Sequence, residues 1–530
     1  MPKVITAEQA AALVKDGDTV AAAVAGLSGW SEEVGIELEK KFLATGAPNN
    51  LTFVHGAGCG NFKDKGGHHF GHVGMVKRWI GGHIGAAPGL AKLVSENKCE
   101  GYNLPQGVIV QLYRDIAAKR PGLITKVGLG TFIDPRIEGG KMNTITTEDI
   151  VKVMEIDGEE FLYYKSFSID VALIRGTTAD EHGNLTTDRE GVALENLPLA
   201  QAVKNGGGIV IAQVEYLAKA NSLHPKQVQV PGVLVDYIVV GKPENHMQTM
   251  GEYYNPIFSG DMKVALNVLP EMALDERLII ARRAAMELSL NCIVNLGIGI
   301  PADGIASVAG QEGIADMMTL TTEVGGIGGV PAGMANFGQT YNAEMIVDQQ
   351  AQFDWYDGGG IDVAFLGLAQ ADKTGNINVS KFNGRAMGCG GFVNITQNSK
   401  KVVFCGTFTS KGLKVAIEES MLVIKNEGSG KKFLNEVEQI TFSGPYAAKT
   451  NKPVLYITER AVFTLENGEL TLIEIAPGVD LENDILAQME FVPRISPDLK
   501  LMSAEFFRPQ WGNLKNILAA KVKEQEVLCR

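Results

Sequence analysis

The chain repeats itself. Residues 171–186, VALIRGTTADEHGNLT, and 363–378, VAFLGLAQADKTGNIN, align without a gap. Val171 and Val363 stand 192 residues apart (363 minus 171), and so do Asp180 and Asp372, Gly183 and Gly375, and Asn184 and Asn376. An apolar run that ends in Ala-Asp-x-x-Gly-Asn reads as a buried strand entering a turn. A further apolar strand, 209–211 after the first copy and 402–405 after the second, follows at a similar distance. Nearer the start of each half, AALVKDGDTVAAAVAG (11–26) resembles the stretch that begins at 285, a spacing of 274 (285 minus 11). Repetition at fixed offsets limits the chain to two copies of one architecture. At 530 residues it is also too long for a single core.

The order of elements sets the fold class. Thr6 caps a helix over 5–16, with Glu8 in its first turn. A short apolar strand follows over 19–24, then a helix over 31–43 and a strand over 50–55. Strand and helix in alternation predict an α/β fold with a parallel sheet. Residues 103–116, NLPQGVIVQLYRDI, open with a turn at 104–107 and continue as a helix with Ile109, Leu112 and Ile116 inward. Gln106 stands in that turn, where its amide can face a ligand. Residues 127–141 read as a glycine-rich loop and 150–165 as a hairpin. The polar segment 242–263, with two prolines, reads as a linker between a first domain (1–241) and a second (264–530).

The second half opens with a helix over 274–288 and a strand through Asn295, which enters Leu296-Gly297-Ile298-Gly299-Ile300-Pro301. A Gly-x-Gly turn between strand and helix can bind phosphate. It lacks the third glycine of a dinucleotide site, since 302 is Ala and 303 is Asp. Next comes TLTTEVGGIGGVPAGMANFG (319–338), in which an apolar strand over 317–322 ends on one carboxylate, Glu323. Five glycines follow closely, Gly325, Gly326, Gly328, Gly329 and Gly333. A carboxylate at a strand's end, facing a loop almost without side chains, can reach a bound substrate and act as a covalent nucleophile. Residues 352–370 read as a turn and a buried strand. In NGRAMGCGGFVN (383–394), Gly388, Gly390 and Gly391 read as exposed backbone able to aim N–H groups at an oxyanion. Residues 430–475 read as strands and hairpins, and 480–530 as a surface-lying helical tail.

Charge and composition narrow the partners. A net charge of −13 argues against a nucleic-acid binder, which needs a basic face. Six cysteines without a C-x-x-C pair fit a reducing compartment. No signal-peptide pattern opens the chain, and no run of about 18 apolar residues occurs, so a soluble cytoplasmic protein with no membrane partner is expected. The loop 55–72 holds His55, His68, His69 and His72. His68 and His72 are four apart, but the loop has no H-E-x-x-H pattern and is broken by glycines, so a ligand-lining or hydrogen-bonded loop is expected rather than a metal site.

Taken together, NLGIGIP (295–301), Glu323, Gly375-Asn376 and Gly388-Cys389-Gly390-Gly391 resemble the C-terminal domain of the class I coenzyme A transferases. Leu104-Pro105-Gln106-Gly107 resembles the glutamine motif of that family's N-terminal domain. FIDPR (132–136), GGVPAG (328–333), DWYDGGG (354–360), CGGFVNITQ (389–397), FCGTFTSKGLK (404–414) and ITERAVF (457–463) are most similar to the propionate/acetate CoA-transferases of anaerobic bacteria.

The resemblance implies two related open α/β domains of the CoA-transferase type and a ping-pong transfer of coenzyme A from an acyl-CoA to a short-chain carboxylate. Glu323 would form an acyl-glutamyl anhydride and then a glutamyl-CoA thioester. Gln106 would orient the carboxylate and the Gly391 N–H would hold the oxyanion. Asn295, Gly297, Gly299, Gly388 and Gly390 would line the path of CoA. Asn376 would either join them or cap its turn. CoA enters as substrate, with no tightly bound cofactor and no metal, and a homo-oligomer, dimer or tetramer, is implied. The loops GLSGWSE (26–32) and HGAGCGNF (55–62), and Val324 after the nucleophile, depart from that subgroup. They leave the acyl group open between acetate or propionate and lactate, butyrate or a larger acid. Trp30 would either narrow the pocket or simply pack. Interception of the glutamyl intermediate by water, acyl-CoA hydrolysis, is the alternative activity. A non-catalytic binding protein would not need Glu323, Gln106 and Gly391 together.

Overall fold

A computed structural model describes residues 2–265 and 272–528. Its two main sheets have ten strands each, two of the first (Leu185–Thr186 and Val228–Val230) lying off the main path, so eighteen strands form the two paths. In the first half these are β1 (Lys3–Val4), β2 (Thr19–Ala22), β3 (Leu51–His55), β4 (Val76–Gly81), β5 (Glu100–Asn103), β6 (Val171–Asp180), β7 (Ile209–Ala218) and β8 (Tyr237–Val240). The second half supplies β9 (Ile293–Leu296), β10 (Thr319–Thr321), β11 (Gly326–Ile327), β12 (Met345–Ile346), β13 (Val363–Gly367), β14 (Lys401–Cys405), β15 (Val454–Ile457), β16 (Ala461–Glu466), β17 (Glu469–Ile475) and β18 (Arg494–Leu501). The first sheet runs β1-β8-β7-β6-β2-β3-β4-β5 and the second β12-β11-β10-β9-β13-β14-β15-β16-β17-β18. Every pairing along the first path is parallel. In the second, the stretch from β10 to β15 is parallel and most of the flanks are antiparallel.

The repeat is visible in the register. β6 lies between β7 and β2 with Val171 paired to Ile209 and Val20. β13 lies between β14 and β9 with Val363 paired to Lys401 and Val294. The offsets are those of the sequence, 192 for Val171 to Val363 and for Ile209 to Lys401, and 274 for Val20 to Val294 (363 minus 171, 401 minus 209, 294 minus 20). The turns match atom for atom. Asp180 Oδ1 accepts from the amides of His182 and Asn184, and Asn184 Oδ1 accepts from Gly232 N–H. Asp372 Oδ1 accepts from the amides of Thr374 and Asn376, and Asn376 Oδ1 accepts from Gly444 N–H. An Asp that satisfies its own turn leaves a strand end in the same shape twice.

A parallel sheet is buried on both faces, and strand alternation sorts its side chains between them. In the second sheet Val363, Phe365, Val403 and Cys405 join one core. Ala364, Leu366, Val402 and Phe404 join the other. The halves interlock through these cores. Val110, from α4 (Gln106–Ala117), enters the second half's core, while Val324, Cys389 and Val393 enter the first half's. No helix among the described residues is long and apolar enough to cross a membrane.

Thr6 caps α1 (Ala7–Leu13) as expected, its Oγ1 accepting from Gln9 N–H at 3.1 Å while Gln9 Oε1 accepts from Thr6 N–H at 3.0 Å. Two expectations are corrected. A helix, Gln349–Asp357, stands before β13 where a turn was expected. The tail contains β18 and packs inward through Phe506, Phe507, Leu514 and Leu518 as well as carrying a last helix, Leu514–Leu528.

The histidine loop is a partly buried ion-pair chain. His69 lies between Glu32 (3.2 Å) and Glu39 (2.6 Å), and Glu39 also meets His72 at 2.6 Å. Glu32 in turn accepts from Trp30 Nε1–H at 2.7 Å, and the buried Trp30 ring packs edge-on against Phe53 and Phe70, which stack on each other. Trp30 therefore packs. Burial alone would lower the His69 pKa, but Glu32 and Glu39 outweigh it and hold it above the ordinary value. The stabilisation from a raised His is complete below its unfolded pKa and is lost as pH rises through the folded one. His69→Ala leaves the buried Glu32 carboxylate without its cation, beside the half-buried Glu39 that keeps His72, and is expected to cost about 3 kcal/mol. Urea unfolding at pH 6 should show that loss, and the gap from wild type should narrow as pH rises above the folded His69 pKa.

Candidate active site

Glu323 sits in the turn that follows β10, half-buried. Thr322 builds this turn: its N–H donates to Gly326 O, its carbonyl accepts from Gly325 N–H and from Gln352 Nε2, and its Oγ1 accepts from Gly326 N–H. Gly325 has φ +114°, and a Cβ there would fall 2.0 Å from Val347 O, so only glycine fits. The turn presses Glu323 against Gly391. A Cβ placed on Gly391 would lie 2.7 Å from Glu323 Oε2 and 3.0 Å from Phe353 Cζ. Burial pushes the Glu323 carboxyl up to about 7.

Gly388, Gly390 and Gly391 were expected as exposed backbone. They are folded inward instead, with Gly388 and Gly391 buried. Gly388 N–H donates to Ser380 O at 3.0 Å and Gly390 N–H to Gly82 O at 2.7 Å, which leaves neither amide for a ligand. No described residue accepts the Gly391 N–H. Gly391 is the residue before α9 (Phe392–Asn398), and its Cα side lies against the Glu323 carboxylate.

Gln106 is the first residue of α4, and its N–H donates to Gly390 O at 2.9 Å. The second amide of α4, Gly107 N–H, donates to Asn394 Oδ1 at 3.1 Å, and Asn394 Nδ2 is held by Asp357. The start of α4 is thus satisfied by residues of the other half of the chain, which is how Gln106 comes to lie beside the glutamate turn. Its Nε2 is buried with no partner. Beneath the nucleophile, Asn295 donates to Tyr356 Oη at 3.2 Å and Tyr356 Oη–H donates to Thr321 Oγ1 at 2.6 Å. Asn295 Oδ1 is also unpartnered.

Of the other predicted residues, Gly297 is buried at the end of β9, where a Cβ would fall 2.6 Å from Leu366. Gly299 takes φ +87° with open space around it. Asn376 stands apart. Its Nδ2 donates to Asp372 Oδ2 and Thr374 Oγ1, and its Oδ1 holds Gly444 N–H, so its polar atoms are engaged in the turn. His55 is a structural residue that accepts from Trp79 Nε1–H and meets Ala57 O, buried and held neutral with its pKa lowered to about 4. Val324 packs in the first half's core.

The sequence reading missed Phe353, Tyr356 and Asn394, which pack around the glutamate turn and the start of α4, and the buried polar pair Glu195 and Gln349. Asn394 lies inside the CGGFVNITQ motif and was within reach. Phe353 and Tyr356 lie in the helix misread as a turn.

A carboxylate with raised pKa, a free backbone N–H beside it and an unpaired carboxamide form a site that can attack a carbonyl and hold the oxyanion produced. The chain is similar to several known proteins. A family model described as coenzyme A transferase matches residues 4–241. The caffeate CoA-transferase of Acetobacterium woodii is 55% identical, covering 98% of this chain and 100% of that one. The acetate CoA-transferase YdiF of Escherichia coli K12 is 44% identical over 95% of each chain. The crystal structure of the acyl-CoA transferase YdiF apoenzyme from Escherichia coli O157:H7 superposes with a TM-score of 0.91 at 43% identity, covering 96% of this chain and 97% of that one. A structure of the same protein as a thioester complex with CoA superposes at 0.90.

Proposed function

The chain belongs to the coenzyme A transferase family, and we propose that it works by covalent ping-pong catalysis through Glu323. CoA thioesters are its substrates. The Glu323 carboxylate attacks the thioester carbonyl, the C–S bond breaks, and CoA leaves as the thiolate. The thiolate then attacks the glutamyl carbonyl of the mixed anhydride and releases the first acid as its carboxylate. The second carboxylate attacks the glutamyl-CoA thioester, and the same steps run in reverse. In each addition the Gly391 N–H donates to the oxyanion and Gln106 Nε2–H to the acid's oxygen. Asn295 supports the turn from below. The observation that carries the proposal is the pressing of the Glu323 carboxylate onto Gly391, with the unpaired Gln106 amide beside them.

The first acid is proposed to be a short-chain carboxylate such as acetate or propionate, acetate being the acid named for the YdiF relative. A larger, aromatic acid is the second reading, favoured by the higher identity to the caffeate enzyme. We propose that the enzyme acts as a homo-oligomer.

The test is chemical trapping. Protein incubated with acetyl-CoA is treated with borohydride and mapped by mass spectrometry. Reduction of Glu323 to the alcohol, only when acyl-CoA is present, is the expected result. An unmodified Glu323 in protein that still binds CoA would sink the proposal.

The raised carboxyl fixes the pH dependence. Only the ionised form attacks, so kcat/KM for acyl-CoA should climb as pH rises through about 7 and level off above it. An unperturbed carboxyl would have put the rise near 4.5.

A further inference from the structure

Glu195 and Gln349 are buried, and neither the Glu195 oxygens nor the Gln349 carboxamide has a hydrogen-bond partner. The amides of Val24 and of Glu195 itself face the carboxyl without closing a bond of ordinary geometry. Burial pushes this carboxyl up to about 8, so near neutral pH it stands un-ionised, a donor and an acceptor at once. Buried polar groups are almost always paired, and an unpaired cluster calls for a partner.

The cluster is continuous with the reacting centre. A Cβ placed on Gly56 would lie 3.6 Å from Glu195 Oε1, 3.7 Å from Gln349 Oε1 and 2.6 Å from Val110 Cγ1. A Cβ on the neighbouring Gly82 would meet Gly56 O at 2.1 Å and Gln106 Cβ at 3.3 Å. Two helices measure the interval independently. On α4, Gln106 is at the Glu323 end and Val110, one turn on, is at the Glu195 end. On Gln349–Asp357 the direction is reversed: Gln349 is at the Glu195 end, and Phe353, one turn on, touches Gly391. Both place the polar pair about one helical turn, ~5.4 Å, beyond the carboxylate site. The titratable groups that face Glu195 are Tyr113 and Asp348, and neither is a cation. A second carboxylate would meet no counter-charge there, whereas a neutral hydroxyl would satisfy both side chains.

We propose that Glu195 and Gln349 form the polar far wall of the acyl pocket and select monocarboxylic acids that carry a hydroxyl about one helical turn from the reacting carboxyl. This rests on the reading of Glu323 as nucleophile. The hydroxyl donates to Gln349 Oε1 and accepts from the Glu195 carboxyl O–H. An acid that lacks it leaves both side chains unpaired.

The test compares acids in which a methyl group replaces the hydroxyl: 4-hydroxybutyrate against pentanoate, and 5-hydroxypentanoate against hexanoate, each with acetyl-CoA as donor. In at least one pair the hydroxy acid should lead in kcat/KM by ~10- to 100-fold. In Glu195→Leu that ratio should fall toward one, and Glu195→Gln, which keeps the shape and a hydrogen-bonding end, should restore part of it. Ratios within twofold in wild type for both pairs would overturn the inference without any variant, as would an undiminished ratio in Glu195→Leu. Borohydride trapping of wild type with acetyl-CoA separates the two levels. Label on Glu323 with flat ratios overturns this inference alone, and no label overturns the mechanism beneath it.

Discussion

Replacing Glu323 with glutamine is expected to lower CoA transfer by about 10⁴-fold or more, the scale seen when a covalent nucleophile is removed. Glutamine has the same shape, so Gly391, Phe353 and Gln106 need not move, and loss of activity would report the lost carboxylate alone. The variant should also be more stable than wild type at pH 8. Burial raises the folded carboxyl from 4.5 to about 7, so above that pH the folded state must carry a charge it disfavours. That penalty is absent below 4.5, grows between the two values and is complete above the higher one. The difference in Tm between Glu323→Gln and wild type should therefore be positive at pH 8 and vanish toward pH 4.5. Full activity in the variant would refute the nucleophile. A variant less stable than wild type at pH 8 would show that the carboxylate is held by a favourable interaction and not merely buried.

The parts of this fold that could be read from sequence are those whose cause is local. The Asp-x-x-Gly-Asn turns announce themselves because Asp180 and Asp372 satisfy their own backbones, at the same spacing in both copies. Glu323 stands out because Gly325 and its neighbours leave a carboxylate with little else around it. The helix Gln349–Asp357 escaped because its buried residues are Gln349, Gln350, Gln352, Phe353 and Tyr356, three of the five glutamine. Apolar periodicity cannot detect a helix whose inward side faces a site. Glu195 and Gln349 gave no signal at all. A lone Glu in ALEN is ordinary until residues 56, 110, 195 and 349 are folded around one point. The glycine loop at 388–391 was read as a row of available donors, but Ser380, Asn103 and Gly82 accept three of its four N–H groups. Which amide remains free is decided by tertiary pairing, which composition does not encode.

That remaining amide makes Gly391→Ala the sharper of the two site variants. Gly391 has φ −81° and ψ −1°, a conformation any residue adopts, so the backbone tolerates a methyl group without strain. The added Cβ would nevertheless stand 2.7 Å from Glu323 Oε2 and 3.0 Å from Phe353 Cζ. One of them must yield. Phe353 is buried and packed against Gly107, whereas Glu323 is the end of a side chain on a turn, so the carboxylate moves. A displacement of about 1 Å at a reacting atom costs on the order of 10²-fold in rate. We expect that loss in kcat, with a change in stability under about 1 kcal/mol. Gly390→Ala supplies the contrast. Its φ is +54°, and its nearest neighbour, Gln106 Oε1, is 3.6 Å from the added Cβ. There the methyl group strains the backbone by ~1–2 kcal/mol and leaves the nucleophile in place. If the single clash at Glu323 sets the rate, Gly391→Ala is the slower enzyme and Gly390→Ala the less stable protein. The reverse pattern would mean that the loop acts through its backbone shape and that Gly391 has no special place beside the carboxylate.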